Sequence, residues 1–364
     1  MKIAEIIETI EQFAPLSYQE SYDNAGLIVG DKNAECTGAL LCLDAIEAVI
    51  DEAIAKKLNL VIAHHPIVFS GLKKITGRNY VERVVLKAIK NDIAIYAAHT
   101  NLDNVMLGVN EVIAERLKLV NKRILAPKKN MLKKLYTYVP VSDQEKLKNG
   151  LFAAGAGNIG LYSECSFTTP GTGTFKPKND ADPYIGEKNV RNYEKEVRVE
   201  VIFPAYLEQK VLLAMLENHP YEEVAYEVIT LENVYQDVGS GLIGELEKPV
   251  TEARFLKMLK SKMKTDCIRH TRLLDRKIKR VAVCGGSGSF LLRDAIAQKA
   301  DVFITSDFKY HQFFDADNQL VIADIGHYES EQFTTGIFHS ILTNKFPIFA
   351  VQISRINTNP INYI

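Results

Sequence analysis

Leu58-Asn-Leu-Val-Ile-Ala-His-His-Pro66 decides how this chain is read. An unbroken apolar run that ends at two polar residues and a proline is the pattern of a strand buried on both faces, as in a parallel sheet covered by helices. On either side the rhythm repeats. Gly38-Ala-Leu-Leu-Cys-Leu43 is a second apolar strand, with a helix expected over Ala45 to Lys57. A helix over Tyr80 to Lys90 leads to a strand over Ile93 to Ala98 that ends in His99. A helix over Asn104 to Leu117 follows. Alternating strands and helices imply an α/β fold with a largely parallel sheet.

The same rhythm returns near the other end. Lys279-Arg-Val-Ala-Val-Cys284 reads as a strand running into Gly285-Gly-Ser-Gly-Ser289 and a helix. Val302 to Thr305 and Leu320 to Ile325 are further strands, Glu329 to Leu342 a helix, and Phe346 to Ile353 a last strand. Between them the segment from Lys133 to Thr230 carries strand, helix, strand, then strand, helix, strand, the order of a ferredoxin-like α+β module. The division expected is 1–127 as the N-terminal half of one interrupted domain, 128–233 as an inserted ferredoxin-like module, and 234–364 as the C-terminal half. The lysine-rich Lys122-Arg123 and Lys128-Lys129 are read as the linker leading in, and Asp237-Val-Gly-Ser-Gly241 as the linker leading out.

Composition bounds the function. Hydrophobic residues make up 47% and charged residues 24% of 364 residues, and the net charge is −1. That is a globular mix, and no basic excess advertises a nucleic-acid partner. No apolar run reaches the length of a membrane span. Five scattered cysteines without a CxxC pair read as free thiols in a reducing compartment, so a cytoplasmic location is expected.

Four of the eight histidines, His64, His65, His99 and His327, stand where apolar strands end. Ligands of open parallel sheets collect beyond the carboxyl ends of the strands, and a buried imidazole or carboxylate needs a partner. Asp103 follows His99 by four residues, and Glu331 follows His327 by four, a spacing that puts two side chains on one helical face. Each feature has a plainer reading: a core histidine, an N-cap by Asn101 or Asp103 for the Asn104 helix, an acidic first turn at Glu329 and Glu331. Their coincidence at strand ends favours a shared metal site. Mixed imidazole and carboxylate ligands suit zinc, iron and manganese. Five or six such ligands exceed one tetrahedral shell and point to two metals. The glycine-rich Gly285–Ser289 is equally a phosphate cradle or a tight turn.

Asp23-Asn24 with Gly26-Leu27 and Gly30, then His64-His65-Pro66, His99 with Asp103, Gly285-Gly-Ser-Gly288, Thr305-Ser-Asp307, and Gly326-His327-Tyr328 with Ser330-Glu331 resemble, in this order, the GTP cyclohydrolase 1 type 2 homologue family, also called dinuclear metal-centre proteins. The middle segment is similar to the PII/CutA-like insertion of its longer bacterial members. The resemblance implies His64, His65, Asp103, His327 and Glu331 as metal ligands, with His99 a ligand or a neighbour of the ligands. It implies two divalent ions per chain, zinc first, and a toroidal homohexamer. The activity expected is that of a dinuclear hydrolase acting on a nucleotide, with Glu331 bridging and His99 or Glu329 moving protons. The alternative is a non-enzymatic ring that binds metal or senses a small molecule.

Overall fold

The continuous apolar runs form the middle of two sheets. A computed structural model describes all 364 residues. The first sheet has the order Gly26–Val29, Ala94–Ala97, Leu60–His65, Ala39–Asp44, Val351–Ile353. All its neighbours are parallel except the first pair. Leu40, Val61, Ile62 and Ile95 are fully buried, as strands covered on both faces require. The covering helices show the expected stripes. Helix Ile3–Phe13 buries Ile3, Ile6, Ile7 and Ile10, which recur at three- and four-residue steps. Helix Tyr80–Lys90 buries Val84, Val85 and Ala88, and its N-cap Asn79 accepts from the Glu82 amide.

The second sheet has the order Arg269–His270, Val321–Asp324, Val302–Ser306, Lys277–Ser287, Tyr235–Thr251, Val120–Lys128. Its central three strands are parallel. Residues 1–127 and 236–364 make one compact unit, and residues 128–235 a second. Within the first unit the two sheets exchange strands. The last strand of the chain, Val351–Ile353, pairs with Ala39–Asp44, while Val120–Lys128 lies in the sheet otherwise built from residues beyond 234.

Two expected linkers are therefore strands. Val120–Lys128 carries Ile124 and Leu125, both buried, between its lysines and arginine. Its charges sit on an edge strand, where they also discourage pairing with other chains. Asp237–Gly241 falls inside the long strand Tyr235–Thr251, which buries Val238, Leu242 and Ile243. Gly239 packs with its Cα against the Ala126 carbonyl, where an added Cβ would lie 2.3 Å from that oxygen. Glycine there permits close strand approach rather than a loop. Helix Glu252–Met263 adds to the elements expected from the sequence; Phe255, Leu259 and Met263 recur at four-residue steps and are fully buried.

The second unit is a four-stranded antiparallel sheet in the order Ser166–Phe175, Asn192–Pro204, Leu132–Pro140, Tyr226–Leu231. Helices Gln144–Ala153 and Glu208–Asn218 contribute Leu147, Leu151, Val211 and Met215 to its core.

Candidate metal centre

Every imidazole of the strand-end cluster is held by its Nδ1. His64 closes the buried strand and is itself inaccessible; its Nδ1 donates to the Ala98 carbonyl at 2.9 Å. A carbonyl can only accept, so the proton of the neutral ring is on Nδ1 and the lone pair is on Nε2. His65 Nδ1 meets Asp44 at 2.7 Å, His327 Nδ1 meets Asp307 at 2.6 Å, and His99 Nδ1 meets Asp23 at 2.7 Å. Asp44 and Asp307 lie at or just past strand ends, as the histidines do. A carboxylate or carbonyl behind each ring is the arrangement that orients metal-ligating histidines and raises their basicity.

The Nε2 atoms converge on Glu331, which is 3% exposed. Its Oε2 lies 2.9 Å from His65 Nε2 and 3.2 Å from His327 Nε2, and those two nitrogens are 3.3 Å apart. Its other oxygen, Oε1, faces His64 Nε2 at 3.7 Å, and Asp103 Oδ1 lies 3.6 Å from that same nitrogen. His64, His65 and Glu331 have ligand atoms close enough to hold one ion. His64 Nε2 and Asp103 Oδ1 are buried without any hydrogen-bond partner. Two acceptors buried face to face are costly unless a cation lies between them. The residues thus fit a metal by their chemistry: imidazoles held at Nδ1 with Nε2 turned inward, carboxylates, and orphaned lone pairs.

Without a metal, protons must take that place. Burial opposes charge on His65, but the bonds to Asp44 and Glu331 outweigh it and raise the imidazolium pKa to about 9. His327 is likewise opposed by burial but raised to about 11 by Glu331 and Asp307. Burial and the Glu331 charge push Asp103 up to about 7. Burial would raise Glu331 too, yet its histidines hold it well below the ordinary carboxylate range. Asp23 is lowered to about 2, against its burial, by His99 and Thr100. A sign follows for metal uptake. Raised pKa values mean that His65 and His327 carry protons at neutral pH, and a ligand must shed its proton first. Uptake of zinc at pH 7 is expected to release a proton from each, and affinity to rise as pH climbs toward 9. Calorimetry in buffers of different ionisation enthalpy measures this; pH-independent uptake without proton release contradicts it.

The two remaining candidates are placed differently. The His99 ring centre lies 5.4 Å from that of His64 and 5.5 Å from that of His65, and Asp23 holds its Nδ1. Glu329 accepts from Asn359 Nδ2 at 3.1 Å. The capping alternative for Asp103 is not what forms. Asn101 accepts from the His99 amide, and the helix beyond starts at Val109 with Gly108 as its uncapped N-cap. The stretch Thr100–Asp103 is a separate single turn. In the glycine-rich turn the Gly285 and Gly286 amides are bonded to Asn110 and Ser330 and so are not offered to a phosphate. Gly286, at φ +62°, would place a Cβ 2.4 Å from Glu331 Oε1. The turn makes room for the carboxylate. Asp44 and Asp307 have no role assigned from the sequence, although Asp44 closes an apolar run, the same signal that marks the histidines, and Asp307 lies in the Thr305-Ser-Asp307 stretch that carries the resemblance.

A cavity of about 520 Å³ opens over His65, His99, Asp103, His327 and Glu331. Ends of the parallel strands of two mixed sheets that gather histidines and carboxylates in one cleft define a mixed α/β protein with a site able to hold metal. Residues 1–360 match the Duf34/NIF3 (NGG1p interacting factor 3) family, and the chain belongs to it. It is 39% identical to the GTP cyclohydrolase 1 type 2 homolog of Bacillus subtilis (strain 168), over 99% of this chain and 98% of that one. A Bacillus cereus protein related to NIF3 matches in structure with a TM-score of 0.88 at 38% identity, covering 100% and 99% of the two chains. Staphylococcus aureus protein SA1388 matches with a TM-score of 0.79 at 31% identity, with the same coverage. No helix is long and apolar enough to cross a membrane.

Proposed function

We propose that this chain is a dinuclear-metal-dependent hydrolase with a substrate of the nucleotide class. The observation that carries this reading is the division of Glu331: Oε2 addresses His65 and His327, while Oε1 faces His64, with Asp103 beside it. One carboxylate between two ligand sets is the donor pattern of a bridged pair of ions. His64 and Asp103 would hold one, His65 and His327 the other, with zinc first and iron or manganese as alternatives. Two such ions, when bound, supply Lewis acidity and an activated water. The chain's own contribution is placement. Asp44 and Asp307 fix the rings of His65 and His327, and the His99–Asp23 pair sits at the cavity wall where it can take up and return a proton. The substrate class draws support from relatives named GTP cyclohydrolase 1 type 2 homolog.

The first test is metal content per chain on protein purified without chelator, beside hydrolysis of a nucleotide panel. About two ions per chain with metal-dependent turnover supports the reading; a chain that takes up no metal ends it. Asp307→Asn keeps the shape behind His327 and removes the charge. Ion affinity is expected to fall by about 10- to 100-fold, read by competition with a chromogenic chelator; unchanged affinity would remove Asp307 from its assigned place.

The assembly that accompanies this reading is a homohexameric ring in the cytoplasm, checked by light scattering of the full chain. The second unit we read as a ferredoxin-like, PII/CutA-like module, a reading supported by its strand order. One observation favours a sensing role beside or instead of catalysis. This unit has its own cavity of about 990 Å³, walled in part by Phe175, Tyr184, Tyr221 and Arg198. A small molecule that raises the melting temperature without being turned over, in a chain devoid of hydrolysis, would favour the sensor.

A further inference from the structure

The cavity above the histidines is walled by rings and carries no cation. Tyr22, Phe69 and Phe290 line it and are 61%, 51% and 63% exposed, and Tyr328 lies beside His327 at its floor. Tyr22 and Phe69 are 6.4 Å apart, and Phe69 meets the His99 ring edge-on at 6.2 Å. Large apolar rings left open around a concave polar centre mark a ligand surface. No lysine or arginine is among the lining residues, whereas Glu20, Asp44, Asp103 and Glu331 are.

The charge balance is decisive. Asp23, Asp44, Asp103, Asp307 and Glu331 are five carboxylates in contact with the histidine cluster. Two divalent ions bring four positive charges, so the filled centre is not positive even before Glu20 is counted. A triphosphate entering it meets metal charge that these carboxylates already balance, and no lysine or arginine to add to it, in a partly desolvated cleft where charges act more strongly than in water. A flat uncharged ring loses nothing of this kind and gains stacking on the four aromatic side chains.

Resting on the dinuclear reading above, and narrowing its nucleotide class to the base and sugar, we propose that the site takes an uncharged aromatic heterocycle, a nucleobase or nucleoside, and discriminates against its phosphorylated forms. Recognition lies in the ring, with Tyr22, Phe69 and Phe290 as its walls, and the metal ligands face a ring carbonyl or nitrogen instead of a phosphate.

The experiment uses the full chain loaded with zinc, its metal content measured on the same sample. Binding of guanosine, GMP and GTP, and of adenosine, AMP and ATP, is followed by calorimetry at low and high salt. In at least one series the nucleoside is expected to bind about tenfold or more tighter than its triphosphate. The triphosphate alone should gain affinity as salt screens the repulsion. Phe290→Ala is expected to weaken the nucleoside by about tenfold while metal content stays the same. A triphosphate that binds as tightly as its nucleoside, competition by inorganic triphosphate, or no nucleoside binding in either series overturns the proposal. If zinc fails to load, the dinuclear reading itself has failed; if it loads and the order is reversed, only this inference falls.

Discussion

Glu331→Gln is expected to give a folded chain that no longer holds its ions. The side chain is buried, and its two oxygens face both halves of the ligand set. Glutamine preserves volume but turns one oxygen into an N–H donor, facing either the Nε2 pair of His65 and His327 or the lone pair of His64. A neutral amide cannot bridge two cations. The loss should exceed the roughly hundredfold that a change behind a ligand produces, and metal content should fall from about two ions per chain to less than one, with hydrolysis gone. A second readout separates this from misfolding. Zinc should raise the melting temperature of the parent chain, as any ligand of the native state does, and leave that of the variant unchanged. A variant that keeps two ions, or that melts like the parent with zinc, would show that Glu331 is not the bridge.

That four histidines stand at strand ends was legible because Leu60-Val-Ile-Ala63 and its counterparts are unbroken apolar runs. Buried parallel strands use such runs, and polar residues directly after them are driven to one rim of the sheet. The pairings within the rim were not legible. Which carboxylate lies behind which ring depends on strand order, and Asp44 is near His65 because Ala39–Asp44 and Leu60–His65 are parallel neighbours with Asp44 opposite His65. Twenty residues of sequence separate them. The same holds for Asp307 and His327, which adjoin through the neighbouring strands Val302–Ser306 and Val321–Asp324. Asp23 enters the sequence reading only through the Asp23-Asn24 motif; its bond to His99 crosses a tertiary contact that local pattern does not encode.

Misread elements have a common cause. Val120–Lys128 and Tyr235–Thr251 mix charge and glycine into strands. Val120–Lys128 is the edge strand of its sheet and Tyr235–Thr251 lies next to it. Position near a sheet's rim relaxes the apolar pattern that identified the central strands. The expected helix over Asn104 to Leu117 begins only at Val109, because Gly108 packs against the Leu102 carbonyl, where a Cβ would fall 1.9 Å away. That close approach lets the chain turn after Asp103 and leaves its carboxylate facing His64 instead of serving as a cap.

Gly286→Ala tests the bridge from the backbone side. Gly286 is in the left-handed region at φ +62°, where a Cβ is strained, and that Cβ would fall 2.4 Å from Glu331 Oε1. Something must move, and the carboxylate is the softer party, though His65 and His327 restrain its other oxygen. Rotation about that restrained oxygen carries Oε1 away from His64 and Asp103. The strain alone should cost about 1–3 kcal/mol of stability, seen as a lower denaturant midpoint. Metal content should drop toward one ion per chain, because the His65–His327 side keeps its oxygen and the His64–Asp103 side loses one. Gly336→Ala is the control. Gly336 lies within helix Thr335–Lys345 and an added Cβ there meets nothing within 4 Å. That change should stabilise by about 0.5–1 kcal/mol and leave both ions in place. Equal metal content in the two variants would mean that Glu331 tolerates displacement, and the division of its oxygens between two ions would have to be abandoned.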